Sequence, residues 1–345
     1  MRVGLCLAVM SVLSGCALSD AADEGAVGSA EQGKIIGTND LVVVLQDGAN
    51  IPAKYAPTLD AYGKLSNGCS VTHIGNGLAI TAGHCFNSPS TRRDNSPCPT
   101  YSVAWGLRKD DPSYLTSKCE VILAGQQSRD RDYAIFVVRP IPPVKVDIDI
   151  TARPAFGRTI TLFGHPRSRP LEWSQLCTVQ PNTNGNYGVD MFTHQCDTEP
   201  GNSGSSVLDD ATLKIIGIHD GGIVPWNYAT YLHNTPIAEY LGGYNVPPQV
   251  TFSAPTASTV SGTVDVSVDA TDLEDGTVGS VSFKLPDGTT REVTAAPFTV
   301  SFDTTLVANG SVSVEATAAD SKGLKTTTVT RIRVSNVVAT PTDEE

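Results

Sequence analysis

From Lys34 onward the sequence is cut into short apolar runs, and almost none of them is long enough to make a helix. Ser70 to Ile74, Leu78 to Thr81, Tyr133 to Val138, Thr159 to Phe163, Lys214 to Ile218 and Ala229 to Leu232 last four to six residues each, with turn-forming residues between them. Ile35-Ile36 and Leu41 to Leu45 read the same way. Runs of this length with this punctuation form antiparallel strands. One short helix is predicted before residue 245, with Thr235 as its cap, Pro236 in its first turn and Ile237 to Leu241 as its body. The 31 Gly and 22 Pro supply the turns, and 40% hydrophobic residues suffice for a core, so the expected class is all-β.

At 345 residues the chain is long for one domain. A boundary is predicted at Val246-Pro247-Pro248. Beyond it the composition turns to Val, Thr, Ser and Asp, without Cys, and alternation is clear in Thr263 to Val268 and in Ser311 to Ala316. Turn signals at Pro286-Asp287-Gly288 and Asn309-Gly310 divide that segment into strands of a small antiparallel sandwich. Asp272, Glu274, Asp275 and Asp320 are a possible calcium set there, although a solvated acidic face explains them as well. The expected division is 1–15 signal peptide, 16–34 tether or pro-segment, 35–245 main domain, 246–336 sandwich and 337–345 acidic tail.

A net charge of −12 offers no basic stripe for phosphates, which argues against a nucleic-acid partner. Met1-Arg2 followed by the apolar Val3 to Leu13 reads as an export signal, too short to span a membrane. It ends in Leu13-Ser14-Gly15-Cys16, which resembles the bacterial lipobox. That resemblance implies cleavage before Cys16, a lipid on its thiol and a cell-envelope location, with release into the medium if the tether is cut. In an exported chain the six remaining cysteines, Cys69, Cys85, Cys98, Cys119, Cys177 and Cys196, imply disulfides. None has Cys-x-x-Cys spacing, so neither a metal site nor a redox pair is expected.

Three local motifs carry chemistry. Ala79-Ile80-Thr81-Ala82-Gly83-His84-Cys85 runs an apolar strand into a turn that presents a His. Asp132-Tyr133-Ala134-Ile135-Phe136 sets an Asp at the mouth of a buried strand, and Asp132 is preferred to Asp130 for that context. Pro200-Gly201-Asn202-Ser203-Gly204-Ser205 surrounds a Ser with glycines that let a substrate approach the backbone. A serine hydroxyl needs a base to take its proton, and the base needs a carboxylate to fix its tautomer. The order His84, Asp132, Ser203 excludes the subtilisin order, and Ser205 breaks the Gly-x-Ser-x-Gly pattern of α/β-hydrolases. Gly201 and Ser203 amides are the natural oxyanion donors. His73, His165, His194 and His233 lack motif context and read as structural or surface residues.

Thr81 to Cys85 resembles the histidine motif of trypsin-like peptidases, and Cys196 to Val207 together with Ile216 to Gly222 resembles the V8-like, glutamyl-endopeptidase branch. Over residues 35 to 244 this implies two packed six-stranded β-barrels with a cleft between them, followed by the immunoglobulin-like sandwich. The implied activity is a serine endopeptidase acting through an acyl-enzyme on protein or peptide substrates, as a monomer without cofactor. The presence of all three catalytic residue types favours this over a surface-binding protein on an inactive protease fold. Cys69 stands where the partner of Cys85 would be. Of the pairings then left, sequence neighbours are chosen: Cys98 with Cys119, and Cys177 with Cys196. The resemblance puts Asp197, Thr198 and His219 at the substrate pocket, with conflicting implications. Asp197 points to Lys or Arg before the cut, whereas Thr198 and His219 point to Glu, which is the preferred reading. Gly33 to Gly37 resembles a zymogen activation site, with cleavage after Lys34. Asn202 replaces the Asp that captures the new amine in trypsin-like zymogens, and Asp220 replaces an aromatic residue of the V8-like pattern.

Overall fold

A computed structural model describes residues 33–183, 187–257 and 259–336. Cys16, the signal, nearly all of the tether and the acidic tail lie outside these residues. The structure is built almost entirely of β-strands. Strand β1 (Val42–Val43) precedes a first barrel made of β2 (Tyr62–Leu65), β3 (Ser70–Gly75), β4 (Leu78–Thr81), β6 (Ser102–Trp105), β7 (Leu115–Gln127) and β8 (Asp132–Arg139), with β5 (Arg93–Pro97) added along β7. The order β7-β6-β2-β3-β4-β8 closes where β7 pairs with β8. A second barrel uses β9 (Thr159–Gly164), β11 (Cys177–Gln180), β12 (Met191–His194), β13 (Ser206–Asp209), β14 (Ile215–Ile223) and β15 (Trp226–Tyr231). Its order β9-β11-β12-β15-β14-β13 closes through β13 on β9, while β10 (Glu172–Trp173) joins β1 to the flank of β9.

Strand alternation explains how the barrels pack. Along β9, Ile160 and Leu162 point into the second barrel's own core with Val179, Phe192 and Val207. Phe163 points the other way, into the apolar layer that continues through the first barrel. There it stacks on Tyr62 at 5.0 Å and meets the edge of Tyr55 at 5.2 Å. Closing each sheet on itself removes the exposed edges that an open sheet would leave for aggregation.

The three disulfides are Cys69–Cys85, Cys98–Cys119 and Cys177–Cys196, the pairs chosen from sequence. Two local expectations change. Ile35-Ile36 forms no strand, because the backbone of this stretch is engaged by side chains of the second barrel. The predicted helix at Thr235 is a single 3-10 turn, Pro236–Glu239, and the Thr235 hydroxyl bonds back to Leu232 O instead of capping it. A nine-residue 3-10 stretch, Ala53–Ala61, with Pro57 inside it, lies outside the elements expected from sequence.

After Val246, which is buried in the first barrel's core cluster, a sandwich begins with its own core of Val266, Phe283, Phe302 and Val314. One sheet holds β16 (Gln249–Ala254), β18 (Thr263–Thr271) and β21 (Phe298–Asp303). The other holds β17 (Thr259–Val260), β19 (Ser280–Lys284), β20 (Thr290–Val293), β22 (Gly310–Ala319) and β23 (Lys325–Val334). Asn245 Nδ2 donates to Asp320 Oδ2 at 2.7 Å where the chain enters it. Asp272 Oδ1 accepts the amides of Glu274 and Asp275, and Asp320 Oδ1 those of Lys322 and Leu324, so both acids stabilise turns.

Phe163→Ala should expose how much the barrel interface contributes. Losing a buried Phe costs about 3–5 kcal/mol, and a fall of about 10 °C in the unfolding midpoint is expected by calorimetry. A fall below about 2 °C would mean that the layer repacks around the gap.

Candidate active site

His84 is delivered by a strand end. The β4 residues are all buried, and Gly83 to Phe86 turn sharply after them. Only Gly fits at 83, since a Cβ there would stand 2.1 Å from Gln126 O and 2.8 Å from Tyr133 O. Asp132 opens β8 beside this turn and holds His84 twice. Asp132 Oδ2 lies 2.6 Å from His84 Nδ1, and Oδ1 accepts the His84 amide at 2.8 Å. A carboxylate only accepts, so the ring proton sits on Nδ1 and Nε2 keeps a lone pair. Burial opposes a charged ring, but the Asp132 charge and hydrogen bond outweigh it, and the His84 pKa stands above its usual 6.5. Thr230 Oγ1 accepts the Asp132 amide at 2.9 Å from the second barrel.

The Ser203 loop comes from the second barrel and is fastened to the first. Ser70 donates its amide to Ser203 O and its hydroxyl to Gly201 O, both at 2.8 Å. Pro200 O accepts from Arg167 N at 2.5 Å. With these carbonyls occupied, the amides of Gly201 and Ser203 donate to no other described residue, as an oxyanion site requires. Gly201 has φ +100° and Gly204 φ +87°, and a Cβ at Gly204 would stand 2.3 Å from Ser70 O. Glu199 anchors the loop through Arg167 and Arg169; burial raises its pKa, but the two guanidiniums prevail and the net direction is downward. Ser203 Oγ donates to Asp220 O at 3.2 Å, not to His84 Nε2. Ser203 O lies 3.9 Å from Cys85 Sγ, beside the histidine.

Thr198 and His219, two of the expected pocket residues, both lie beside Gly33. His219 is fully buried, and its Nδ1 lies 3.3 Å from Nε2 of His194, equally buried. Burial pushes both imidazoles down, His194 to about 3 and His219 well below 6.5, so both are neutral. His219 Nε2 has no partner among the described residues. In front of it runs the N-terminal segment. A Cβ at Gly33 would stand 2.4 Å from Thr198 Oγ1 and 3.1 Å from His219 Nε2. The Lys34 amide donates to Thr198 Oγ1 (3.1 Å) and Asn227 Oδ1 (2.9 Å), and Lys34 O accepts from Thr198 N (3.1 Å) and Asn227 Nδ2 (2.8 Å).

Asp197, the third of the expected pocket residues, accepts with its carboxylate the amides of Ile36 and Asp40, each at 2.7 Å, on the side of a cleft lined by Trp173 and Cys196. Its job is to hold the N-terminal segment. Sequence reasoning also missed Ser70, Thr230, Asn227 and the support His194 gives to His219; none stands in a motif. The other isolated histidines are structural, His73 bonding Val144 O, His165 Arg169 O and His233 Ile150 O. Among the described residues, the Cys–His groupings that resemble metal sites use disulfide-bonded sulfurs, which leaves no thiolate for a metal.

Residues 67–218 match the family model of the trypsin-like peptidase domain, and residues 248–316 that of a bacterial Ig domain. The chain is therefore a serine peptidase with a trypsin-like peptidase domain followed by a bacterial Ig domain. No curated protein matches it. Similar solved structures include the VesB protease of Vibrio cholerae, 13% identical over 80% of this chain and 95% of that one, with a TM-score of 0.44. The secreted serine protease VesC of Vibrio cholerae is 13% identical over 82% of this chain and 70% of that one, with a TM-score of 0.43. The HtrA-type protease AlgW is 14% identical over 80% and 94% respectively, with a TM-score of 0.41.

Asp197→Ala should loosen the N-terminal segment. It removes the acceptor of two part-buried amides, each bond contributing about 0.5–1.5 kcal/mol. Limited proteolysis within residues 33–45 should accelerate about tenfold or more. An unchanged rate would show that the Thr198 and Asn227 bonds hold the segment unaided.

Proposed function

We propose that this chain is an exported endopeptidase in which Ser203 is the nucleophile, His84 the general base and Asp132 the carboxylate that orients it. The observation that carries this reading is the double hold of Asp132 on His84, opposite a serine flanked by two unclaimed amides. Ser203 Oγ turns from Asp220 O towards His84 Nε2 and gives it the proton while attacking the substrate carbonyl. The resulting oxyanion is met by the amides of Gly201 and Ser203. His84 then passes the proton to the leaving amine, which leaves an acyl-enzyme. Water repeats the sequence and restores Ser203.

Glutamate before the cut is the proposed preference. Thr198 Oγ1 and His219 Nε2 both face the position of Gly33, and a ring proton on His219 Nε2 would be aimed at an acceptor there. The Lys/Arg alternative would require Asp197 to release the two amides of the N-terminal segment that it holds here. The pocket's occupant in this structure is the chain itself, which supports a zymogen. With Lys34 O in two hydrogen bonds, the Lys34–Ile35 bond becomes available to an activating protease only after the segment withdraws. Export and lipid attachment at Cys16 rest on the sequence resemblance; among the described residues no helix is long and apolar enough to cross a membrane.

A fluorophosphonate probe on the exported protein should label the wild type and not Ser203→Ala, and the mass of the labelled protein's N-terminal peptide reports both lipid and processing. On paired peptides, cleavage after Glu should exceed that after Arg and fall at least tenfold in His219→Ala. Because the His84 pKa is raised, kcat/KM should be lost as pH falls through a value above 6.5. Labelling of Ser203→Ala contradicts the nucleophile. Faster cleavage after Arg, abolished by Asp197→Ser and indifferent to His219→Ala, contradicts the pocket.

A further inference from the structure

Among the described residues, Asp220 is a buried acid beside the site that the proposed chemistry leaves unused. It is the extra residue of a β-bulge: the pairing of β14 with β15 passes from His219 opposite Ala229 to Gly221 opposite Tyr228 and skips it. A bulge re-aims both a side chain and a carbonyl. Here the carbonyl leaves the ladder and accepts Ser203 Oγ at 3.2 Å, while the side chain turns inward and puts Oδ2 3.0 Å from Thr230 Oγ1. The same Thr230 Oγ1 accepts the Asp132 amide at 2.9 Å and lies 3.3 Å from Asp132 O.

We infer that Asp220 is a positioning residue, tying the resting place of Ser203 to Asp132 through Thr230. The inference rests on the triad proposed above and adds to it a fourth side chain that touches no substrate. Hydrogen counting sets its protonation state. Thr230 has one hydroxyl proton and faces two acceptors, Asp132 O and Asp220 Oδ2. A protonated Asp220 donates to Thr230 Oγ1, and the Thr230 hydroxyl then donates to Asp132 O, so each contact has its proton. An ionised Asp220 would take the Thr230 hydroxyl proton and leave Asp132 O without it; the Thr230 hydroxyl and amide favour that charged form but are outweighed by burial. Burial first, and the Asp132 charge second, push the Asp220 carboxyl well above the usual carboxylate range. The groups around it agree with this. Asp132 faces it from β8, with His84 beyond. His219, its neighbour on β14, is neutral, as is His194 on β12; Thr230 on β15 does not titrate. The carbonyl that Ser203 rests on is thus fixed by a side chain anchored to the backbone of the residue that orients the base.

The test compares Asp220→Ala, Asp220→Asn and Thr230→Val in the active enzyme by full pH–rate profiles, with unfolding midpoints as a control. Asp220→Ala should lower kcat at least tenfold while KM stays within about twofold. Asp220→Asn, whose amide can donate to Thr230 as the acid does, should recover most of that loss and leave the acid limb of kcat/KM where it is in the wild type. Thr230→Val, equal in size but without the bridge, should lower kcat as Asp220→Ala does, and the double variant should lose no more than either. If Asp220→Ala does not fold, Thr230→Val decides. Unchanged kcat in Thr230→Val, or losses that multiply in the double variant, overturns the positioning role. An acid limb moved down by about a unit in Asp220→Asn overturns the protonated state, because a charge lost near His84 would do that. Failure of the triad itself reads differently: activity would survive Ser203→Ala with Asp220 intact.

Discussion

A single buried serine, Ser70 on β3, registers one half of the site against the other. The proposed base and its carboxylate, His84 and Asp132, belong to the first barrel and the proposed nucleophile, Ser203, to the second, so the proposed chemistry depends on how the two barrels meet. Ser70 donates its amide to Ser203 O and its hydroxyl to Gly201 O, while that hydroxyl accepts the His165 amide and its carbonyl accepts the Thr81 hydroxyl. Thr81 ends the strand that carries His84. The nucleophile loop is thereby fixed to the histidine's own sheet through four hydrogen bonds on one residue. The apolar layer around Phe163, Tyr62 and Tyr55 supplies the non-directional attraction; Ser70 supplies the register.

The same economy runs through the carbonyls of the loop. An oxyanion site needs amides that nothing else has claimed, and a loop offers them only if its carbonyls face elsewhere. Here the carbonyls of Pro200, Gly201 and Ser203 are each held by a donor from outside the loop. That is why Gly201 and Gly204 must adopt positive φ, and why Arg167, far from the motif in sequence, belongs to the site.

The sequence made legible whatever is local. Strand contexts around His84, Asp132 and Ser203 could be read because each motif begins or ends a strand, and the alternation of Thr263 to Val268 appears in β18 as written. The short-range disulfide pairs were legible for the same reason. What escaped depends on contacts between distant residues. Ile35-Ile36 carries the composition of a strand, yet its neighbourhood is set by Asp197, Thr198 and Asn227, each more than 160 positions away from its partner. Asp220 could be flagged as a departure from the family pattern, but a bulge leaves no mark in a single sequence. His194 looked idle because its partner, His219, is reached only across two strands.

The central claim is that Ser203, His84 and the amides of Gly201 and Ser203 converge on one reacting carbonyl once the pocket is open. A crystal structure of the processed enzyme with a covalent peptidyl phosphonate tests this most directly. The account predicts phosphorus bonded to Ser203 Oγ and one phosphoryl oxygen about 2.7–3.1 Å from both amides. It also predicts His84 Nε2 facing the adduct and the residue before the cut seated against Thr198 and His219. A phosphoryl oxygen turned away from those amides, or Gly33 and Lys34 still in the pocket of the labelled enzyme, would contradict it.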